Sequence, residues 1–231
     1  MHGGNSKIEG ISVIIAAAGS GKRMNLDKKK QFLEFKGKPL FMNSVIESEK
    51  CSLIDEIIIV TSEEDIEYVE ECCQKEKILK LKAIIKGGKE RQDSIFNGLK
   101  EVTKSLVAIQ DGARPFLKQQ YYIEGVKLLE QNKSLAGVIV AVKLKDTVKV
   151  LKSSGEVDYT PNRESLIAVQ TPQIFYSSIL KKAYANAKAK NIVGTDDSSL
   201  VESLGEKIGV IPGDYKNIKI TTPEDLYCIK N

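Results

Sequence analysis

The sequence predicts an α/β fold, a mostly parallel, twisted sheet with helices on both faces. Short β-branched runs alternate along the chain with stretches whose apolar residues recur three and four apart. The runs VIIAAA and IIIV are apolar at consecutive positions, as strands covered on both faces are. The chain of 231 residues, 42% hydrophobic and 29% charged, suits a single domain with a real core.

Each element can be justified in turn. Strands are expected at Ser12–Ala17, Glu56–Thr61, Lys82–Lys86, Leu106–Gln110 and Gly137–Val142. Between them Leu40–Lys50, Glu63–Lys75, Gln92–Lys100 and Lys118–Gln131 carry helical periodicity. This strand–helix rhythm is Rossmann-like, and ligands of such sheets bind beyond the carboxyl ends of the strands. The rhythm changes after Val142. Residues 142–165 alternate polar and apolar around a Ser-Ser-Gly turn and read as a β-arm projecting from the sheet. An arm with little core of its own needs something to pack on, so a homodimer through the arm is expected. IAVQ then returns as a strand and SSILKKAYANAKAK as a helix. TDDSSLVESLG reads as a helix capped by Thr195 and closed by Gly205. KIGVIPG and NIKIT read as short strands, and Thr222 with Pro223 opens a last helix.

Composition excludes several chemistries. The only histidine, His2, lies in a polar, glycine-rich start (residues 1–9) that reads as a loose or tag-like end. Serine–histidine, cysteine–histidine and histidine–metal sites are thereby set aside. The cysteines Cys51, Cys72, Cys73 and Cys228 match no zinc spacing and fit reduced thiols of a cytoplasmic protein. A net charge of +4 is too small to argue for nucleic acid. No apolar run approaches the roughly 20 residues of a membrane span. An enzyme built from this chain must work with Lys, Arg, Asp, Thr and backbone groups.

The most informative segment is AAAGSGKRMNLDKKKQF, which follows the first strand at the edge where a ligand is expected. Its small residues let bare N–H groups approach phosphate oxygens. It is neither a P-loop, because Ala16 and Arg23 stand where glycine and Ser or Thr are needed, nor a dinucleotide fingerprint, because Met24 replaces the third glycine. Glycines alone fit a tight strand-to-helix turn equally well. The cations Arg23 and Lys30 tip the reading toward a polyphosphate, whereas Lys28 and Lys29 read as a solvated run.

These residues, A-A-G-x-G-x-R-M followed by K-Q-F, resemble the sugar-phosphate nucleotidyltransferases. Within them the chain is most similar to the 2-C-methyl-D-erythritol 4-phosphate cytidylyltransferases of the non-mevalonate isoprenoid pathway. The resemblance continues in order through GGKERQDSI, DGARP, KDTV, the stretch from Arg163 to TPQ, TDDSSLVE and NIKITTPEDL. It implies that Ala17, Ala18, Gly19 and Gly21 cradle CTP, and that Arg23, Lys30 and Lys219 bind its phosphates and stabilise the transition state. Gly88, Arg91 and Ser94 would serve the cytosine, although a glycine pair and Ser94 also suit the start of a helix. Asp111 and Arg114 would lie at the substrate region, with Asp111 at a divalent metal, Mg²⁺. Thr147, Arg163, Thr171 and Thr195 would hold the sugar-alcohol phosphate, Thr147 reaching the partner subunit's site from the arm. Where this family has proline before the lysine, the chain has Lys29, so looser anchoring of Lys30 is expected. Where it often has histidine before the aspartate, the chain has Gln110.

The implied reaction suits the composition. A phosphate monoester loses its second proton near pH ~6, so the nucleophile needs no general base. What must be overcome is repulsion between two anions, and cations do that. Three rivals remain at this stage. Ribitol 5-phosphate cytidylyltransferases share the reaction but commonly read L-A-G-G where this chain reads AAAG, and lack the alanine of DGARP. A nucleotidyltransferase for another base is the second. A non-catalytic nucleotide-binding module is the third, and the retained cations argue against it.

Overall fold

Successive residues of a strand face opposite sides of its sheet, so a strand apolar at every position must be covered twice. The computed structural model, which describes residues 8, 10–19 and 29–229, shows how this chain does so. Most of the loose start, and the site residues Gly21 and Arg23, lie outside the described residues. The elements are β1 (Ile11–Ala16), β2 (Glu34–Phe35), β3 (Lys38–Pro39), α1 (Leu40–Lys50), β4 (Ile54–Thr61), α2 (Ile66–Lys75), β5 (Leu81–Lys86) and α3 (Arg91–Leu99). They continue with β6 (Leu106–Asp111), α4 (Gln119–Gln131), β7 (Leu135–Lys143), β8 (Val150–Leu151), β9 (Val157–Tyr159), β10 (Ile167–Tyr176), α5 (Ser177–Lys190), α6 (Asp197–Glu202) and β11 (Lys207–Pro212).

Among the described residues, seven strands form one sheet in the order β11-β7-β10-β6-β1-β4-β5. Only β10 runs against its neighbours, β6 and β7; the other pairings are parallel. Alternation sorts the core into two layers. Val13, Ile15, Ile57 and Ile59 pack with Val45 of α1, Val69 of α2 and Tyr122 of α4. Ile14, Ile58 and Val60 face the other way, onto Ile95 of α3, Leu180 of α5 and Leu200 of α6. Truncating one of these fully buried isoleucines to alanine costs about 2–5 kcal/mol. The fold is the predicted α/β, Rossmann-like one.

Two local expectations are corrected, and two details are added. NIKIT forms no strand: apart from a local turn, Asn217 N–H to Asp214 O (2.9 Å), its backbone meets the fold through Ile220 N–H to Ala113 O (2.9 Å), and Ile218 and Ile220 instead pack with Phe35 and Leu40. Thr195 does not cap α6; Asp196 does, its carboxylate accepting from Ser199 N–H (2.9 Å). An ionised carboxylate is a stronger acceptor than a hydroxyl for a helix's first N–H groups. The last helix is a 3-10 helix (Pro223–Cys228). A small hairpin, β2–β3, was not anticipated; it turns through Lys36 and Gly37, both at positive φ, the geometry a two-residue hairpin requires.

The arm segment carries its own ribbon. β8 and β9 pair antiparallel, apart from the main sheet, around a turn in which Gly155 sits at φ +87°. Leu151, Val157 and Tyr159 on this ribbon are more than half exposed.

Candidate active site

β1, β4, β5 and β6 run parallel, so their carboxyl ends meet at one edge. There the chain leaves the strands through small residues that hold the loops close. Ala17 N–H donates to Val60 O (2.8 Å), Gly87 N–H to Thr61 O (2.7 Å) and Gly112 N–H to Ala16 O (3.0 Å). A Cβ on Gly87 would stand 2.6 Å from the Ala18 methyl, so only glycine lets these two loops touch. The result is a cleft of about 290 Å³.

Nine residues anticipated from the sequence line that cleft. Ala17, Ala18 and Gly19 form the wall that leaves β1, and Gly88, Arg91 and Ser94 the wall that leads into α3. Lys30, Asp111 and Lys219 supply its charge. Gly88 has a local reason as well: a Cβ there would stand 2.2 Å from that of Asp93. Ser94 Oγ accepts from Gly88 N–H (3.0 Å) and donates to Glu90 O (3.0 Å), tying the loop to the helix it precedes.

Asp111 ends β6 and is nearly fully buried. Burial opposes its charge, but Lys219 (2.8 Å), Arg91 (3.4 Å) and Arg114 (3.5 Å) surround it and hold its carboxyl well below the ordinary range. Arg91 is shared between Asp111 and Asp197, whose carboxylate lies 2.8 Å away. Burial pulls against the Arg91 charge, and the two carboxylates outweigh it. Asp197 is completely buried and also accepts from the Tyr184 hydroxyl.

The remaining predicted residues are placed differently. Arg114 is buried and donates to Asn217 O (2.6 Å), so it holds the segment that carries Lys219. Thr171, on β10, is buried, and its hydroxyl accepts from Asp111 N–H (3.1 Å). Thr147, Arg163 and Thr195 are exposed; Arg163 donates to Lys145 O (2.8 Å) within the arm. None of these five is among the residues that line the cleft. Lys29 corrects one expectation. It is not part of a solvated run: its ammonium meets Ser62 Oγ (2.6 Å), Glu64 (2.6 Å) and Asp65 (2.5 Å).

Sequence reasoning missed four participants. Gln31 is buried, lines the cleft and donates to Ala17 O (2.8 Å). Asn217 is buried and donates to Thr171 O (3.0 Å). Tyr184 and Asp197 complete the set. For Asp197 a signal existed, since it sits inside a quoted motif; for Tyr184, on an ordinary amphipathic helix, there was none.

The donor set can be tested against a divalent ion. Among the described residues no three of His, Cys, Asp and Glu converge, which argues against a protein-built zinc or calcium cage. A buried, ionised Asp111 in a phosphate-sized cleft fits an ion that takes most of its oxygens from substrate phosphates and water, as Mg²⁺ does.

A cleft where parallel strands end, lined by cations and bare backbone and, among the described residues, by no histidine, is that of an α/β nucleotidyltransferase. Comparison with known proteins narrows the class. The sequence model of the family described as IspD, 2-C-methyl-D-erythritol 4-phosphate cytidylyltransferase, matches residues 11–230. A protein of that name from Fusobacterium nucleatum is 48% identical over the whole of both chains. One from Clostridium perfringens is 43% identical over 94% of this chain and 95% of its own. The crystal structure of 4-diphosphocytidyl-2C-methyl-D-erythritol synthase from Anaerococcus prevotii superposes with a TM-score of 0.83 at 35% identity, covering 95% of this chain and 94% of that one. The chain belongs to the 2-C-methyl-D-erythritol 4-phosphate cytidylyltransferase family.

Proposed function

We propose that the protein transfers CMP from CTP to 2-C-methyl-D-erythritol 4-phosphate, giving 4-diphosphocytidyl-2-C-methyl-D-erythritol and pyrophosphate for isoprenoid precursor synthesis. An oxygen of the acceptor phosphate attacks the α-phosphorus in line. The bond from that phosphorus to the β-phosphate oxygen breaks, and pyrophosphate leaves with the electron pair. No proton needs to move, because the acceptor is already ionised near neutral pH.

The chain's own groups position and neutralise. Backbone N–H groups of Ala18 and Gly19 receive phosphate oxygens, and Gly88, Arg91 and Ser94 border the base. Lys30 and Lys219 meet the charge that builds on the α-phosphate and the leaving group, with Arg23 as their assigned partner. Asp111, ionised throughout the working pH range, would hold Mg²⁺ together with phosphate oxygens; the ion supplies further neutralisation of the triphosphate. Thr147 and Arg163 are assigned to the acceptor from the partner's arm in a homodimer, with Thr171 and Thr195 on its near side. We place the enzyme in the cytoplasm; among the described residues no helix is long and apolar enough to cross a membrane.

The observation that carries this reading is the convergence of Lys30, Lys219 and Arg91 on one cleft around the buried Asp111. The test is pyrophosphate release from CTP with methylerythritol phosphate or ribitol 5-phosphate, and from UTP, ATP or GTP in place of CTP. Turnover is expected only with CTP and methylerythritol phosphate, to be abolished by EDTA and restored by Mg²⁺. Preferred turnover of ribitol phosphate would overturn the acceptor, and full activity in chelator would remove the metal.

A further inference from the structure

We infer that Lys29 is a positioning residue: its ion-pair clamp onto the segment after β4 sets the backbone that presents Lys30 to the cleft. This rests on the role proposed for Lys30. The clamp is a three-oxygen seat. The Lys29 ammonium lies 2.6 Å from Ser62 Oγ, 2.6 Å from Glu64 and 2.5 Å from Asp65, and the Ser62 hydroxyl donates in turn to Asp65. The side chain is only 26% exposed and Asp65 only 16%, so this is no loose surface pair. Burial works against the Lys29 charge, yet Asp65 and Glu64 raise its pKa, and hydrogen bonding by Lys29 lowers that of Glu64 to about 2.

What the clamp holds is a single 3-10 turn, Lys30–Phe32. Two residues of that turn have anchors of their own, each pointing elsewhere. Gln31 donates to Ala17 O at the end of β1. Phe32 sits edge-on to Phe41 of α1 (5.8 Å) and to Tyr68 of α2 (5.2 Å). Lys29 closes the amino-terminal side: its carbonyl accepts from Phe32 N–H (2.9 Å), and its backbone stands at φ −59°, ψ 134°. That φ is close to the one proline's ring imposes, about −65°. Here a long side chain, pinned at its tip, restrains a backbone that no ring restrains. A shift of the Lys30 ammonium by about 1 Å can cost a hundredfold in rate, so a device that fixes its base matters to turnover.

The experiment compares kcat and KM of the full-length enzyme and its variants. Lys29→Met is expected to lower kcat by about tenfold while KM for both substrates stays within about twofold, since positioning acts on the transition state. Asp65→Asn is expected to lower kcat similarly, and the double variant to be no worse than either single one, because both break the same clamp. Lys29→Arg, which keeps the charge, and Lys29→Pro, which keeps the backbone angle, are each expected to retain more than half of the wild-type kcat. Unchanged kcat in Lys29→Met overturns the inference. So does a rise in KM with kcat intact, which would make Lys29 a ligand contact. Additive losses in the double variant would overturn it as well. Lys30→Ala is measured alongside. If it retains turnover, the role of Lys30 falls; if it loses turnover while Lys29→Met does not, only the clamp falls.

Discussion

At the scale of single residues, the site is organised by buried carboxylates more than by its cations. Asp111 gathers Lys219, Arg91 and Arg114, and Asp197 steers Arg91 from behind. Asp197→Asn keeps the shape and removes the charge. It is expected to cost about 1–3 kcal/mol of stability, because a charge-assisted bond is lost from the interior. It is also expected to weaken CTP binding by about tenfold, ~1.4 kcal/mol. Chemical denaturation and CTP titration check both; a variant unchanged in each would show that Arg91 needs no such support. Residue identities at the cleft were legible because motifs name them: Lys30, Asp111 and Lys219 all line it. Their partners were not, because a buried ion pair is a property of two distant positions. Arg91 and Asp197 are 106 residues apart, and nothing local marks either as half of a pair. Lys29 illustrates the opposite error, since a lysine in a basic run reads as solvated until its acidic seat is seen.

At the scale of elements, the edge opposite the cleft is stapled by Glu56, near the start of β4. Its carboxylate accepts from Ser12 on β1 (2.6 Å), Lys82 on β5 (2.7 Å) and Thr103 just before β6. Partial burial alone would raise its pKa, but these donors lower it to about 2. The folded carboxyl therefore binds its proton more weakly than the unfolded one, and stability rises with pH. The contribution is full above about pH 4.5 and is lost as pH falls toward about 2. Glu56→Gln is expected to lower stability at pH 7 by about 1–3 kcal/mol and to flatten this part of the acid limb in a stability–pH profile. An unaltered acid limb would count against the staple. Elements defined by long apolar runs, such as β1 and β6, were read from the sequence closely. NIKIT was misread because alternation reports only which side chains are buried; a strand also needs a neighbouring ladder of free backbone groups, and this segment meets a local turn at Asp214 and a single carbonyl at Ala113 instead.

For the whole molecule, the β8–β9 ribbon leaves Leu151, Val157 and Tyr159 uncovered, and Ile167 and Val169 at the start of β10, where the arm segment rejoins the sheet, are exposed as well. A monomer rarely shows so many neighbouring apolar side chains without a partner for them, which is the support for the proposed dimer. Val157→Glu combined with Leu151→Glu is expected to give monomers by analytical ultracentrifugation and to lose activity through the loss of the partner-site role proposed for the arm. A dimer that survives both charges would move the interface elsewhere. The Lys219–Asp111 contact has a consequence for what unfolding does to this enzyme. The aspartate ends β6, whereas its nearest counter-charge follows β11 and is held there by the bond from Arg114 to Asn217 O (2.6 Å). The two charges are neighbours only while the sheet between them is intact, so whatever loosens that sheet also pulls apart the electrostatics of the cleft.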